Sequence, residues 1–280
     1  MKWFFVNEGK DPISAILNTF RFPVCLDVLG ESSLSVDYSR WYLDQNVEFL
    51  EVLPSKTGDF QLALKPSAFV DFLEEAQVEQ RFLKLIHLSR QKQVPVIFDA
   101  EIREVNEKFW PILCWLAKNK YNVGCALQCY WTDAKDFATQ IINLNPSEFE
   151  IRLVKGAYYK RELEKYPNKV CASISETTRQ LIDISNFVAQ NTKIKVAVGT
   201  HDLDVIKKLM LSDISRKIEF QVLYGVGNGF ARYLKDLGFQ VRLYTPFSMG
   251  RFDPTPYLIR RAQENTNPFG FVRKLLHELV

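Results

Sequence analysis

The stretch "PYLIRRAQEN" (256–265) sets two guanidinium groups side by side. At helical spacing Tyr257, Arg260, Arg261 and Glu264 fall at i, i+3, i+4 and i+7, on a single face. Adjacent like charges repel unless an anion or acids compensate them, and planar guanidinium forks match a carboxylate through parallel hydrogen bonds. The chemistry indicated is capture of a small carboxylate; a solvated basic face balanced by Glu264 is the competing explanation. A second set of chemistry-bearing residues stands where apolar runs stop: Glu31, Lys65, Asp99, Gln128, Arg152 with Lys155, Thr200 with His201, Tyr224 and Tyr244. Ionisable groups at buried strand ends are costly unless they pair or hold a ligand. Plainer duties are open to each. Lys65 and Asp99 suit a structural ion pair, Gln128 the satisfaction of backbone groups, Thr200 or Asp202 a helix N-cap in "THDLD", and the tyrosines an amphipathic place in the core.

The elements that must position these groups follow from period and punctuation. Short β-rich runs occur at 24–30, 60–65, 94–99, 122–130, 149–155, 194–200, 218–225 and 239–245. Segments with helical spacing separate them. The clearest is "FVDFLEEAQVEQRFLKLIHLSRQ" (69–91), whose Phe69, Phe72, Leu73, Ala76, Phe82, Leu83 and Ile86 form one apolar stripe. Eight strand-helix units in a chain of 280 residues predict a TIM-like (β/α)8 barrel, with its chemistry at the carboxyl ends of the strands. An open doubly wound sheet is the alternative, but the first strand runs into "LGESS" and lacks the GxGxxG turn of a dinucleotide site. The later "GVGNG" (225–229) reads as a loop entering a helix. The expected organisation is one catalytic barrel domain over 1–280: an N-terminal segment 1–23, the barrel 24–265, and a helical tail 266–280.

Composition narrows the partners. With 47% hydrophobic and 25% charged residues, the chain has apolar surface for a large core. Its 36 basic and 33 acidic side chains interleave to a net charge of +3, without the basic stripe that tracks a phosphate backbone, so no nucleic acid partner is expected. Five cysteines (Cys25, Cys114, Cys125, Cys129, Cys171) without CxxC spacing indicate neither a disulfide framework nor a metal site, and fit a reducing, cytoplasmic setting. The opening "MKWFFVNEGKDP" meets charges before a signal-peptide core forms. No run approaches the roughly 18 apolar residues of a membrane span, so contact with the inner face of the cell membrane is expected to be peripheral at most.

Taken in order, "LDVLGES" (26–32), "FDAE" (98–101), "IRLVKGAYY" (151–159), "GTHD" (199–202), "EFQVLYG" (219–225), "VRLYTP" (241–246) and "PYLIRRAQEN" resemble the proline dehydrogenase family over roughly 24–265. The resemblance implies a distorted (β/α)8 barrel and FAD. It also implies hydride transfer from L-proline to flavin N5, giving 1-pyrroline-5-carboxylate, with electrons passed to a quinone. By position, Arg260 and Arg261 hold the substrate carboxylate, Lys65 and Asp99 form the ion pair beside it, Tyr244 and Tyr257 line its ring, and Leu223 is an apolar wall. Arg152 stands near flavin N5 and Gln128 on the isoalloxazine ring. Lys155, Gly156, Tyr158, Tyr159, Thr200, His201, Gln221 and Glu264 line the cofactor site, and Glu31 is a gate pairing with Arg260. Cofactor chemistry of this kind needs little acid-base machinery from the protein.

The chain departs from the family pattern at "YPNKVCASISE", where Ala172 takes a usually basic position and Glu176 an acidic one, with Lys169 as a substitute cation for the FAD pyrophosphate. Tyr159 stands where tryptophan is common, and "TPFSMGRFDP" (245–254) is bulkier than the usual loop, which leaves hydroxyproline or an N-substituted proline open as substrate. A monofunctional form is expected, handing its product to a separate 1-pyrroline-5-carboxylate dehydrogenase. Two other functions fit the residues: a Schiff-base aldolase with Lys155 or Lys65 as nucleophile, or a binding protein that keeps the barrel without turnover.

Overall fold

In the computed structural model, which describes residues 22–30, 32–53, 60–191, 193–224 and 227–247, every one of the eight apolar runs forms a strand. These are β1 (Val24–Val28), β2 (Phe60–Leu64), β3 (Val96–Phe98), β4 (Val123–Gln128), β5 (Phe149–Val154), β6 (Ile194–Gly199), β7 (Ile218–Leu223) and β8 (Gln240–Phe247). Each pairs in parallel with the next, and β1 pairs with β8 from Val24↔Leu243 to Val28↔Phe247, closing the barrel. The helices among the described residues are α1 (Val36–Val52), α2 (Ala76–Lys92), α3 (Arg103–Lys118), α4 (Ala134–Asn143), α5 (Tyr159–Lys165), α6 (Ile174–Ala189), α7 (Leu203–Met210) and α8 (Asn228–Asp236). The expected (β/α)8 barrel is therefore the fold, with two helices between β5 and β6. The helix expected to carry Arg260 and Arg261, together with Tyr257, Glu264 and the gate Glu31, lies outside the described residues.

Two boundaries differ from the sequence reading. The stretch 69–91 is not one helix: Pro66–Ala68 and Val70–Phe72 form single 3-10 turns, and α2 begins only at Ala76 after an extended Glu75. Phe69, at φ −151°, breaks the run because its ring belongs to the core, stacked on Phe82 at 5.3 Å and edge-on to Phe109 at 5.9 Å. The buried face of α2 is Val78, Phe82, Leu85, Ile86 and Ser89, and Ala76 is exposed. The second difference is at β8, where Thr245–Phe247 continue the strand as partners of Leu26–Val28, so Tyr244 sits within β8 rather than at its end.

Helix starts follow local chemistry. Ser35 Oγ accepts the Tyr38 N–H at α1, and Asp202 accepts from Asp204 and Val205 at α7. At α6, Ser173 Oγ accepts the Glu176 N–H while Glu176 reaches back to the Ala172 N–H at 2.8 Å, a variant of the capping box. Glu176 thus has a structural duty in the segment where the chain departs from the family pattern.

Successive strand residues face opposite sides. One set (Val24, Leu26, Val28, Leu62, Leu64, Phe98, Ile151, Leu153, Val196, Val198, Phe220, Leu243) packs on the helices and makes the apolar core. The other set points into the barrel, and much of it is polar: Asp27, Gln61, Lys65, Glu150, Arg152, Glu219, Gln221, Arg242 and Tyr244. Gln61 Nε2 reaches Glu150 Oε2 across the barrel at 2.5 Å, and Gln221 Nε2 donates to Glu150 Oε1 at 3.0 Å and Glu219 Oε1 at 2.8 Å. Arg242 grips Glu219 through Nε at 2.8 Å and Nη2 at 3.1 Å. An interior of this kind survives only because nearly every group finds a partner.

Candidate active site

Towards the carboxyl ends of the strands lies a compact cluster of Asp27, Lys65, Asp99, Arg152 and Tyr244, with Arg152 and Tyr244 still inside β5 and β8. Lys65, one residue past β2, places Nζ 2.6 Å from Asp27 Oδ1, 3.1 Å from Asp99 Oδ2 and 3.4 Å from the Tyr244 hydroxyl. Its backbone N–H donates to Tyr42 Oη at 2.9 Å, which fixes where the strand lets go of the side chain. Tyr244 donates its hydroxyl proton to Asp99 Oδ2 at 2.6 Å, and Arg152 Nη2 pairs with Asp99 Oδ1. The remaining edge of the Arg152 guanidinium meets Gln221 Oε1 at 3.3 Å and Cys25 Sγ at 3.7 Å, and its centre lies 5.0 Å from the middle of the Tyr244 ring.

Burial dominates the electrostatics. It opposes the charge on Lys65, but Asp27, Tyr244, Asp99 and Tyr42 outweigh it and hold the ammonium well above the ordinary lysine range. Asp99 is likewise opposed by burial, yet Lys65, Arg152 and the Tyr244 hydrogen bond drive its carboxyl below the usual value. For Asp27 burial wins over Lys65, and its carboxyl is raised. Glu150 is raised by burial and by neighbouring Glu219. Burial, outweighing Arg152 and helped by Asp99, lifts the Cys25 thiol to about 12, so it stays neutral beside Arg152. Neutral thiols are poor nucleophiles.

A second group gathers at the ends of β4, β5 and β6. Gln128 Oε1 accepts from Tyr130 Oη at 3.0 Å, Trp131 Nε1 at 3.1 Å and Asn106 Nδ2 at 3.5 Å, which fixes the amide plane. Gly156 turns at φ +110°, and a Cβ there would meet the Tyr130 ring at 2.1 Å, so glycine alone fits the exit from β5. Lys155 pairs with Asp202 at 2.5 Å, and Thr200 Oγ1 accepts the Asp202 N–H at 3.1 Å. Of the two N-cap candidates in "THDLD", Asp202 is the cap, and Thr200 supports it. His201 Nε2 accepts the Leu223 N–H at 3.0 Å, tying the approach to α7 to the end of β7. Tyr158 precedes α5, and Tyr159 Oη donates to the Cys171 carbonyl at 3.0 Å.

The strand-end pattern thus brings Lys65, Asp99, Arg152 and Tyr244 together, and sets Gln128, Gly156 and Lys155 on adjoining strands. Gln221 lies beneath Arg152 as its support. Two residues escaped that pattern. Asp27 lies inside "VCLDVLG" rather than after it, and its signal in the sequence is a lone acid in an apolar run. Glu101 accepts both the Ser67 N–H at 2.7 Å and the Ser67 hydroxyl at 2.5 Å, joining the loops that follow Lys65 and Asp99.

Residues 15–274 match the family model described as proline dehydrogenase. The chain belongs to the proline dehydrogenase family. Proline dehydrogenase 2 of Bacillus subtilis (strain 168) is 24% identical over 275 residues, covering 96% of this chain and 87% of that protein. Proline dehydrogenase of Deinococcus radiodurans is 33% identical over 156 residues, 54% of this chain and 46% of that one. Among solved structures, proline utilization A from Bdellovibrio bacteriovorus inactivated by N-propargylglycine superposes with a TM-score of 0.77 at 22% identity, covering 95% of this chain. That likeness supports the barrel, and this chain spans 32% of the longer protein. Among the described residues no helix is long and apolar enough to cross a membrane.

Proposed function

We propose that this member of the proline dehydrogenase family oxidises L-proline to 1-pyrroline-5-carboxylate with FAD, passes the electrons to a quinone, and hands its product to a separate 1-pyrroline-5-carboxylate dehydrogenase. The observation that carries this reading is Arg152: a buried guanidinium at the barrel mouth, fixed by Asp99 and Gln221 and laid against the Tyr244 ring. The residues present fit a flavin. The Gln128 amide is held in one orientation, Arg152 supplies a fixed cation, and Lys155 lies beside the glycine turn at Gly156. Bound FAD would supply the hydride acceptor. Arg152 would stabilise negative charge arriving near it, at no cost in reorganisation because its partners already hold it.

The chain's own task is positioning. Arg260 and Arg261 take the substrate carboxylate, Tyr244, Tyr257 and Leu223 flank the ring, and Lys65 with Asp99 meets its amine side. Glu31 pairs with Arg260 to exclude water. Tyr158, Tyr159, Thr200, His201, Gln221 and Glu264 line or support the cofactor. A reacting carbon must be held within about 3–3.5 Å of its acceptor for such a transfer, and a two-point clamp on a small ring provides that. The aldolase reading is weakened by Lys65, which two carboxylates keep as an ammonium when a Schiff-base lysine needs its free amine.

Anaerobic addition of L-proline to the flavin-loaded protein is expected to bleach the flavin absorbance. Arg260→Met and Arg261→Met are each expected to raise the KM for proline by about tenfold or more with the protein folded and yellow. Unchanged KM in both would remove the carboxylate role, and an unbleached wild-type protein would remove the function.

A further inference from the structure

Neither the strand-end pattern nor the family motifs give Asp27 a duty, yet it is the most deeply placed acid of the cluster, fully buried on β1. Its Oδ1 accepts from Lys65 Nζ at 2.6 Å. Among the described residues its Oδ2 is buried without a hydrogen-bond donor. Tyr244 lies close by, but its proton is committed to Asp99 Oδ2 at 2.6 Å. The groups around Asp27 are Lys65 from the end of β2, Asp99 from the end of β3, Tyr244 from β8 and Tyr42 from α1; Arg152, from β5, is engaged by Asp99. The two carboxylates on Lys65 are therefore unequal. Asp99 collects Lys65, Arg152 and Tyr244, which hold it as an anion, whereas Asp27 has Lys65 as its cation and only a weaker contribution from Tyr244 against its burial. Two acids whose surroundings push them apart divide the acid and base roles between them. Among the described residues the barrel interior also sets four carboxylates (Asp27, Asp99, Glu150, Glu219) against three cations (Lys65, Arg152, Arg242), leaving room for one more proton.

The proposed function supplies that proton, and the inference rests on it. A cyclic secondary amino acid carries its nitrogen as an ammonium at neutral pH, and without a free lone pair that nitrogen cannot expel hydride from the adjacent carbon. We propose that Asp27 receives the proton shed by the substrate's amine, relayed through Lys65. Of the three contacts of Lys65 Nζ, the one to Tyr244 is longest at 3.4 Å, and an incoming amine would take that direction. In the transfer, Nζ first gives one of its protons to Asp27, which frees a lone pair; turning about the Cε–Nζ bond, it then takes a proton from the substrate ammonium as that N–H bond breaks. Lys65 begins and ends as an ammonium, the substrate becomes a free amine, Asp27 becomes a neutral acid, and no electrons change hands. Acting through Lys65, Asp27 is a positioning residue.

The test is anaerobic flavin reduction by L-proline in the flavin-loaded protein across the range from about pH 6.5 to 10, in wild type and Asp27→Asn. The wild-type rate is expected to stay within about threefold over this range. Asp27→Asn, able to use only proline that arrives deprotonated, should be slowed more than about tenfold at pH 7 and recover about tenfold per pH unit until the amine's own pKa is reached. Tetrahydrofuran-2-carboxylate, the oxygen isostere with no amine proton to lose, should bind both proteins with the same affinity to within about twofold. A deficit equal at every pH, or none, overturns the inference. If Asp27→Asn fails to bind the isostere, Asp27→Glu takes its place: it keeps a carboxylate and should keep the flat profile, and a tenfold-per-unit slope there overturns the idea. A wild-type protein that L-proline does not bleach overturns the proposed function instead, so the two failures are told apart.

Discussion

Arg242 offers a test of the polar interior that is independent of the reaction. Its guanidinium bonds Glu219 twice, at 2.8 and 3.1 Å, and donates to the Val24 carbonyl at 3.2 Å. Glu150 lies next to Glu219, joined to it through Gln221. Arg242→Met would leave two carboxylates facing one another inside the barrel. Breaking a buried pair by removing one partner costs about 3–5 kcal/mol. In a chain of this size each kcal/mol lowers Tm by about 2–4 °C, so the drop should be about 6–20 °C. The pH dependence gives a second handle. Burial and Glu219 already raise Glu150, and losing the Arg242 cation, which opposes that rise, raises it further. The folded variant then binds protons that the unfolded chain has released, so its stability rises as pH falls from neutral toward the ordinary carboxylate range. Thermal and urea unfolding at pH 7 and pH 5.5 would measure this, with the smaller deficit at pH 5.5. Arg242→Met combined with Glu219→Met removes both charges and should recover most of the loss. A single variant costing under about 1 kcal/mol, or a double variant no better than the single, would refute the interior ion pair.

Other outcomes follow from the same geometry. Tyr244→Phe removes the proton donated to Asp99 while keeping the ring beneath Arg152, and should cost about 1.5–3 kcal/mol by urea unfolding. Asp99 is held below its usual range by Lys65 and Arg152, so its stabilisation is present above the unfolded carboxylate value and is lost as pH falls through the lowered one. Asp99→Asn should therefore be less stable at neutral pH and show a shallower acid limb in a stability-pH profile. Gly156→Ala, forced to φ +110° with its Cβ against Tyr130, should lose about 1–3 kcal/mol and bind less flavin; wild-type Tm and flavin content would contradict the account of the β5 exit.

The strands were legible because each apolar run is short and separated from the next by a segment of helical spacing, and every run found its place in the barrel. The chemistry at their ends was legible too, since Lys65, Asp99 and Arg152 interrupt apolar sequence where a buried sheet tolerates no idle charge. The interior was written just as plainly, in the alternation of Gln61 with Lys65, Glu150 with Arg152, Glu219 with Gln221 and Arg242 with Tyr244. A parallel barrel strand is expected to be apolar on both faces, so only the last residue of each run stands out as a candidate site. Asp27 was lost for that reason. The break at Phe69 was hidden by a different cause: helical spacing continues through 69–91, and only the core packing of the Phe69 ring, a tertiary effect, ends the regularity. The Lys65–Asp99 pair shows the limit of reading two partners alone, because its geometry depends on Asp27 and Tyr244, which come from distant parts of the chain.

Ring closure by β1 and β8 has a consequence for how the molecule comes into being. The first strand to leave the ribosome must wait for the last before its second edge is covered, so a partly made chain exposes unpaired backbone along Val24–Val28. Pairing so remote in sequence is slow to find, and a nascent protein with an open flank is prone to stick to its neighbours. Truncations that stop short of Phe247 should accumulate as aggregates instead of smaller soluble barrels.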